Sequence, residues 1–152
     1  IAFWPQFKGR DGCRTPMPWS DEEAHAGFSH GMPWLPVPEE HRARAVAQQQ
    51  ADPHSVLNGF RAFMRWRKSH PALRWGDIEF VETVEPVLAI IRRLDGEALL
   101  VMFNLGASAV EVALPSSPGG LTALEGHGLQ PGSLRGGALH LPGHGAWFAR
   151  LD

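Results

Sequence analysis

From Asp52 onward the apolar positions of this sequence recur with two distinct periods. Val56, Leu57, Phe60, Phe63 and Met64 fall at helical spacing, which puts them on one face of a helix over 54–70. Asp52-Pro53 predicts its start, a side-chain cap followed by a proline whose missing donor costs nothing in a first turn. Arg65, Arg67 and Lys68 occupy the last turns, where cations suit the negative helix end, and His70-Pro71 stops it. After Leu73 the period shortens. Segments 78–84, 86–93, 98–104, 109–114, Ala138–Leu141 and Ala146–Leu151 are apolar or alternating, with Asp95-Gly96 as a tight hairpin turn and loops at 116–120 and 126–137. Strands of this number and spacing predict an antiparallel β-sandwich.

Before Asp52 the periodicity disappears. Phe3, Trp4, Phe7, Trp19, Phe28 and Trp34 are separated by Pro5, Pro16, Pro18, Pro33, Pro36 and Pro38, each of which removes an amide donor and disfavours helix at the residue before it. The stretch reads as a long irregular segment, of the kind that is functional or lies against something large. Only 39–50 offers a short, weakly amphipathic helix. Met-Pro-Trp occurs twice, at 17–19 and 32–34, too short a match to imply duplicated structure.

Composition narrows the function classes. The 152 residues carry 14 Lys+Arg against 16 Asp+Glu, so the clustered basic surplus of a nucleic-acid binder is missing. No run approaches the roughly 18 apolar residues of a membrane span. The 17 glycines and 13 prolines, about a fifth of the chain, predict much turn and loop. Ile1 begins the chain without a charged start and apolar core of the signal-peptide kind, and the expected location is cytoplasmic.

Eight histidines raise the question of a metal, but no His-Glu-x-x-His occurs, and His140 and His144 straddle Pro142-Gly143 and cannot share a helix face. No metal and no cofactor is predicted. Cys13 has no obvious base nearby and reads as a lone, partly buried thiol. The acidic run Asp21-Glu22-Glu23 reads as the start of a solvated turn, and Gly119-Gly120 and Gly136-Gly137 as hairpin glycines.

The most specific signal is Gly9-Arg10-Asp11-Gly12-Cys13-Arg14-Thr15-Pro16-Met17-Pro18-Trp19. Two arginines and a carboxylate, stiffened by Pro16 and Pro18 and flanked by Trp4 and Trp19, make a rigid polar cluster beside aromatic surface. Guanidinium offers forked donors and indole a flat apolar face, a combination that suits sugar hydroxyls. The equally weighted alternative is that both arginines tie a long loop down by salt bridges.

The string at 10–19 also resembles the hallmark found late in the α-glucosidases of glycoside hydrolase family 13. The likeness continues through Ala26-Gly27-Phe28-Ser29, Pro33-Trp34-Leu35-Pro36-Val37, Val46 with Gln49, Asp52-Pro53 with Ser55-Val56-Leu57-Asn58, and Arg67-Lys68-Ser69-His70-Pro71-Ala72-Leu73. It covers residues 2–73 almost continuously and the rest loosely, chiefly at 99–105. Gly12 stands where many relatives carry Asn. The resemblance implies a mainly β chain with some helix: residues 1–72 would be the loop and final helix that close a TIM barrel, and 73–152 a C-terminal antiparallel β-sandwich. It implies a retaining, exo-acting enzyme with an α-glucoside oligosaccharide as substrate and the N-terminal barrel as the missing partner. The nucleophile, the general acid and a third Asp following Asn-His would lie on that barrel, since no Asn-His-Asp occurs in this sequence. Arg10 matches the arginine that, with an upstream aspartate, holds the terminal glucose before the scissile bond; Arg14 is the second substrate-binding candidate or a structural residue. A transglycosylase or isomerase on sucrose, maltose or trehalose would use the same wall. A non-catalytic carbohydrate-binding or scaffold module would also fit a chain lacking the catalytic carboxylates.

Overall fold

The computed structural model describes residues 10–114 and 119–152. The aromatic cluster of Phe3, Trp4 and Phe7 and most of the expected 116–120 loop lie outside the described residues. The chain forms two compact units, Ile1–Phe60 and Arg61–Asp152, and the division falls inside its longest helix.

In the first unit the prolines leave room only for short elements. Two 3₁₀ turns, Asp11–Cys13 and Ala24–Gly27, precede helices α1 (Glu39–Arg42) and α2 (Val46–Ala51). The single helix expected over 39–50 is therefore broken, because Ala45 is fully buried with extended backbone and the chain restarts after it. The first amides of α2, those of Val46 and Ala47, donate to the carbonyls of Pro18 and Trp19, both at 3.0 Å. The proline loop thus satisfies the orphan donors of the helix, which has no side-chain cap.

Helix α3 (Val56–Lys68) is the predicted long helix, but it starts later than Asp52-Pro53 suggested. Asp52 instead closes a local turn, its Oδ1 accepting from the His54 amide at 2.8 Å. Ser55 provides the cap, its Oγ accepting from the Asn58 amide at 3.2 Å. The predicted apolar face is only half covered: Val56 and Phe60, one helical turn apart, are 84% and 60% exposed.

The second unit is an antiparallel β-sandwich. Its larger sheet has the order β1-β2-β3-β8-β5, formed by β1 (Asp77–Val81), β2 (Val87–Leu94), β3 (Glu97–Asn104), β8 (Ala146–Leu151) and β5 (Leu121–Ala123). The smaller sheet has the order β4-β7-β6, formed by β4 (Val110–Ala113), β7 (Ala138–Leu141) and β6 (Ser133–Arg135). Strands β2 and β3 pair from Val87↔Asn104 to Leu94↔Glu97, and Asp95 and Gly96 turn the hairpin with φ of 48° and 87°. Both positive values are what a two-residue type I′ connection demands.

The core has two layers, one on each face of the larger sheet. Between the sheets lie Ile91, Leu100, Met102, Val112, Leu139, Leu141 and Trp147. On the other face Leu99, Val101 and Phe148 pack with Leu73 of α4 (Pro71–Trp75) and with Phe63 and Trp66 of α3. Burial on both sides explains why 99–102 is a continuous buried run and not an alternating one. Two strands depart from expectation: β6 forms inside the region read as the loop 126–137, and β5 had not been assigned. Both are three residues long and owe their form to pairing with β7 and β8. Helix α4, where strands were expected to begin soon after Leu73, is a single turn with Pro71 at its start.

Candidate functional site

The string at 10–19 folds as one 3₁₀ turn running into extended proline segments. Arg10 precedes the turn, and its carbonyl accepts from the Cys13 amide at 3.2 Å and from Cys13 Sγ at 3.0 Å. Cys13 is exposed, against the expectation of partial burial, because the turn projects it outward while its thiol is satisfied by backbone.

The two arginines take different roles. Arg14 is anchored: its Nη2 pairs with Asp11 Oδ1, its Nε reaches the Arg10 carbonyl at 3.4 Å, and its guanidinium lies 5.6 Å from the centroid of the Trp34 ring. Arg10 is exposed, and among the described residues its guanidinium has no hydrogen bond or ion pair. Of the two readings left open by the sequence, loop anchoring describes Arg14. Trp4, expected beside the cluster, lies outside the described residues. Among the described residues of this unit, the indole that meets Arg14 is Trp34, 80% exposed. It belongs to the second Met-Pro-Trp and to the string at 33–37 that carried the family likeness, neither of which gave it a contact with Arg14.

Bonds from downstream residues hold this scaffold together. Thr15 Oγ1 and His41 Nδ1 are 3.3 Å apart, Arg42 donates to the carbonyls of Asp21 and Glu23, and Gln48 bonds the Asp21 carboxylate. The 24–27 turn passes through left-handed backbone at His25, Ala26 and Gly27, with φ of 50°, 56° and 69°. The Ala26 carbonyl there accepts from the amides of both Trp19 and Ser20. A second hub joins α2 to α3. The Gln49 carbonyl accepts from Ser55 Oγ at 2.6 Å and from Asn58 Nδ2 at 2.9 Å, and Asn58 Nδ2 also reaches the Asp52 carbonyl at 2.8 Å. Gln49, Ser55 and Asn58 carried a family likeness in the sequence, but no physical role had been read from them.

Chemically, the unit offers donors and aromatic surface. Asp11 is engaged by Arg14 and Asp21 by Gln48. Among the described residues no three His, Cys, Asp or Glu side chains gather as a metal site would need. No helix among the described residues is long and apolar enough to cross a membrane.

Comparison with known proteins agrees with this chemistry. Residues 2–76 match the family described as alpha amylase, catalytic domain. A "Probable alpha-glucosidase" of Rhizobium meliloti is 46% identical over 151 residues, which is 99% of this chain and 27% of that protein. An oligo-1,6-glucosidase of Parageobacillus thermoglucosidasius is 34% identical over 110 residues, 72% of this chain and 19% of its own length. Among solved structures, the alpha-glucosyl transfer enzyme XgtA superposes with a TM-score of 0.89 at 50% identity, covering all of this chain and 28% of that one. The chain therefore spans about a quarter of the length of these relatives.

Proposed function

Because this chain belongs to the alpha-amylase family of glycoside hydrolases, we propose that it is the C-terminal portion of a retaining, exo-acting α-glucosidase, and that residues 10–19 form one wall of its glucose pocket. In this reading residues 1–72 close the TIM barrel and 73–152 form the appended sandwich. The retaining reaction uses a nucleophilic carboxylate and a general acid about 5 to 5.5 Å apart, both carried by the preceding barrel. Arg10 binds a hydroxyl of the terminal glucose. A charged wall at that end blocks longer chains and favours exo attack.

The observation that supports this reading is the division between the two arginines of the string: Arg14 is committed to Asp11 and Trp34, whereas Arg10 is exposed and has no such partner among the described residues. The exposed Val56 and Phe60 of α3 support the barrel assignment, as apolar surface suited to a neighbouring helix or strand. Losing a charge-assisted hydrogen bond in a dry pocket costs about 2 to 4 kcal/mol. Arg10→Ala in the full-length protein should then lower kcat/KM on an α-glucoside by roughly 30- to 1000-fold, at about 1.4 kcal/mol per tenfold. Arg10→Lys should restore only part, since an ammonium cannot reproduce the fork. Near-normal kcat/KM in a protein of lowered melting temperature would overturn the assignment.

A second reading, glucosyl transfer, draws support from the similarity to XgtA. Turnover of maltose with and without an added alcohol acceptor separates the two, hydrolysis giving two glucose per maltose and transfer giving one glucose and one glucosylated acceptor.

A further inference from the structure

His127 is buried, 4% exposed, in the segment that joins β5 to β6. Its ring centroid lies 5.6 Å from that of Trp66 on α3 and 4.9 Å from that of Phe148 on β8. Its Nδ1 faces the amide of Leu129 at 3.1 Å. An amide can only donate, so this contact requires an unprotonated Nδ1 and places the neutral ring's proton on Nε2. That bond fixes the ring within its own segment, while the tie to α3 runs from Trp66 Nε1 to the Glu125 carbonyl at 2.8 Å. The segment is therefore held to α3 by this bond and by the packing of the His127 ring on Trp66. Beside it lies a cavity of about 340 Å³ bordered by Glu125, His127, Leu129, Pro131 and Trp147.

The surroundings offer a cation nothing. On β8 the ring meets Phe148, and the only charged residue of that strand, Arg150, is exposed. On α3 it meets Trp66, against which the His70 ring lies tilted at 4.3 Å with its Nδ1 bonded to the Trp66 carbonyl. Arg61, Arg65, Arg67 and Lys68 of α3 and Glu125 of the segment complete the charged groups of these elements, and none of them is bonded to the imidazole among the described residues. Protonation would set an N–H against the Leu129 N–H and bury an unpaired charge.

We propose that His127 is a pH-sensitive latch: neutral, it holds the 124–131 segment against α3 and β8, and protonated, it releases the segment and widens the adjoining pocket. Burial also lowers the His127 pKa from its ordinary 6.5. The held state therefore binds fewer protons than the released one. The latch is at full strength above pH 6.5 and weakens as pH falls, by up to tenfold per unit for one proton, until the pKa of the held form is passed.

The test compares wild-type full-length protein with His127→Asn, whose Oδ1 keeps an acceptor for Leu129 without titrating. Backbone hydrogen exchange of the 121–135 peptides, corrected for intrinsic rates, should lose protection at least threefold between pH 7.5 and pH 5 in the wild type. It should stay flat in the variant. The same pH dependence in both proteins, or none in the wild type, overturns the proposal. If His127→Asn does not fold, exchange of the imidazole Cε1 hydrogen in the wild type gives the midpoint directly. A His127 midpoint below that of free histidine supports the latch, and one at or above it overturns it.

Discussion

The guanidinium of Arg14 is shared between the carboxylate of Asp11, in its own turn, and the ring of Trp34, 5.6 Å away and well downstream. One side chain thus closes a loop that prolines have stiffened but that has few backbone bonds of its own. Where two arginines sit in a five-residue string, the anchored one should be felt in stability and the other in kinetics.

Arg14→Ala should accordingly cost stability more than activity. An exposed ion pair contributes about 0.2 to 1 kcal/mol and an exposed cation–π contact about 0.5 to 1 kcal/mol, so a loss near 1 kcal/mol is expected. Calorimetry and steady-state kinetics on one preparation of the full-length variant check this, with kcat/KM remaining within about fivefold of wild type. A loss as deep as that of Arg10→Ala would place Arg14 on the substrate as well.

The hub between α2 and α3 makes a sharper claim. Asn58→Ala removes donors from the carbonyls of Gln49 and Asp52, and Ser55→Ala removes both the cap of α3 and another donor to Gln49. Each should destabilise by roughly 1 to 2 kcal/mol. Because both act on one carbonyl, the double variant should lose less than the sum, which a denaturant double-mutant cycle measures.

Phe148→Ala is expected to be the most damaging single change in the sandwich. Its ring is 1% exposed and meets Phe63, Trp66, Phe103 and His127. Truncating a buried Phe costs about 3 to 5 kcal/mol. Phe80→Ala, at an exposed position of the edge strand β1, should change stability by no more than about 0.5 kcal/mol and serves as the control. Urea unfolding followed in the second unit gives both values.

The 152-residue chain by itself should hydrolyse no glucoside. Its acidic residues include no Asn-His-Asp string, and Asp11 and Asp21 are already bound to Arg14 and Gln48. Release of p-nitrophenol from p-nitrophenyl α-glucoside above a protein-free blank, abolished by changing one acidic residue of this chain, would contradict this.

Much of the sandwich was legible because strand signals are local. Ala138–Leu141 and Ala146–Leu151 were read with their final boundaries, and the Asp95-Gly96 turn fixed the β2–β3 register. Ser133–Arg135 was not legible, since all three residues are exposed and show no alternation; only the partner strand makes them a strand. The start of α3 was misplaced because Asp52 and Ser55 are both good caps, and the choice between them is made by Gln49 through contacts that span a turn. At the candidate site, the chemistry of Arg10 and Arg14 could be read from residue type alone. Arg14 is anchored partly by local contacts with Asp11 and the Arg10 carbonyl and partly by Trp34, whose place beside it is a matter of tertiary packing with no local signature.

The last strand of the chain sits inside the larger sheet, between β3 and β5. A ribosome delivers residues in order, so β1, β2 and β3 emerge first as a meander of short-range pairings that can form early. Until Ala146–Leu151 has followed, β3 keeps an open edge, and Leu99, Val101 and Met102 lack the cover that Trp147 and Phe148 later give. An apolar, unpaired strand of this kind invites association with other nascent chains. The sandwich is thus completed from its interior rather than its rim, and a chain stalled or cut before Trp147 would be a template for aggregation, not a smaller folded domain.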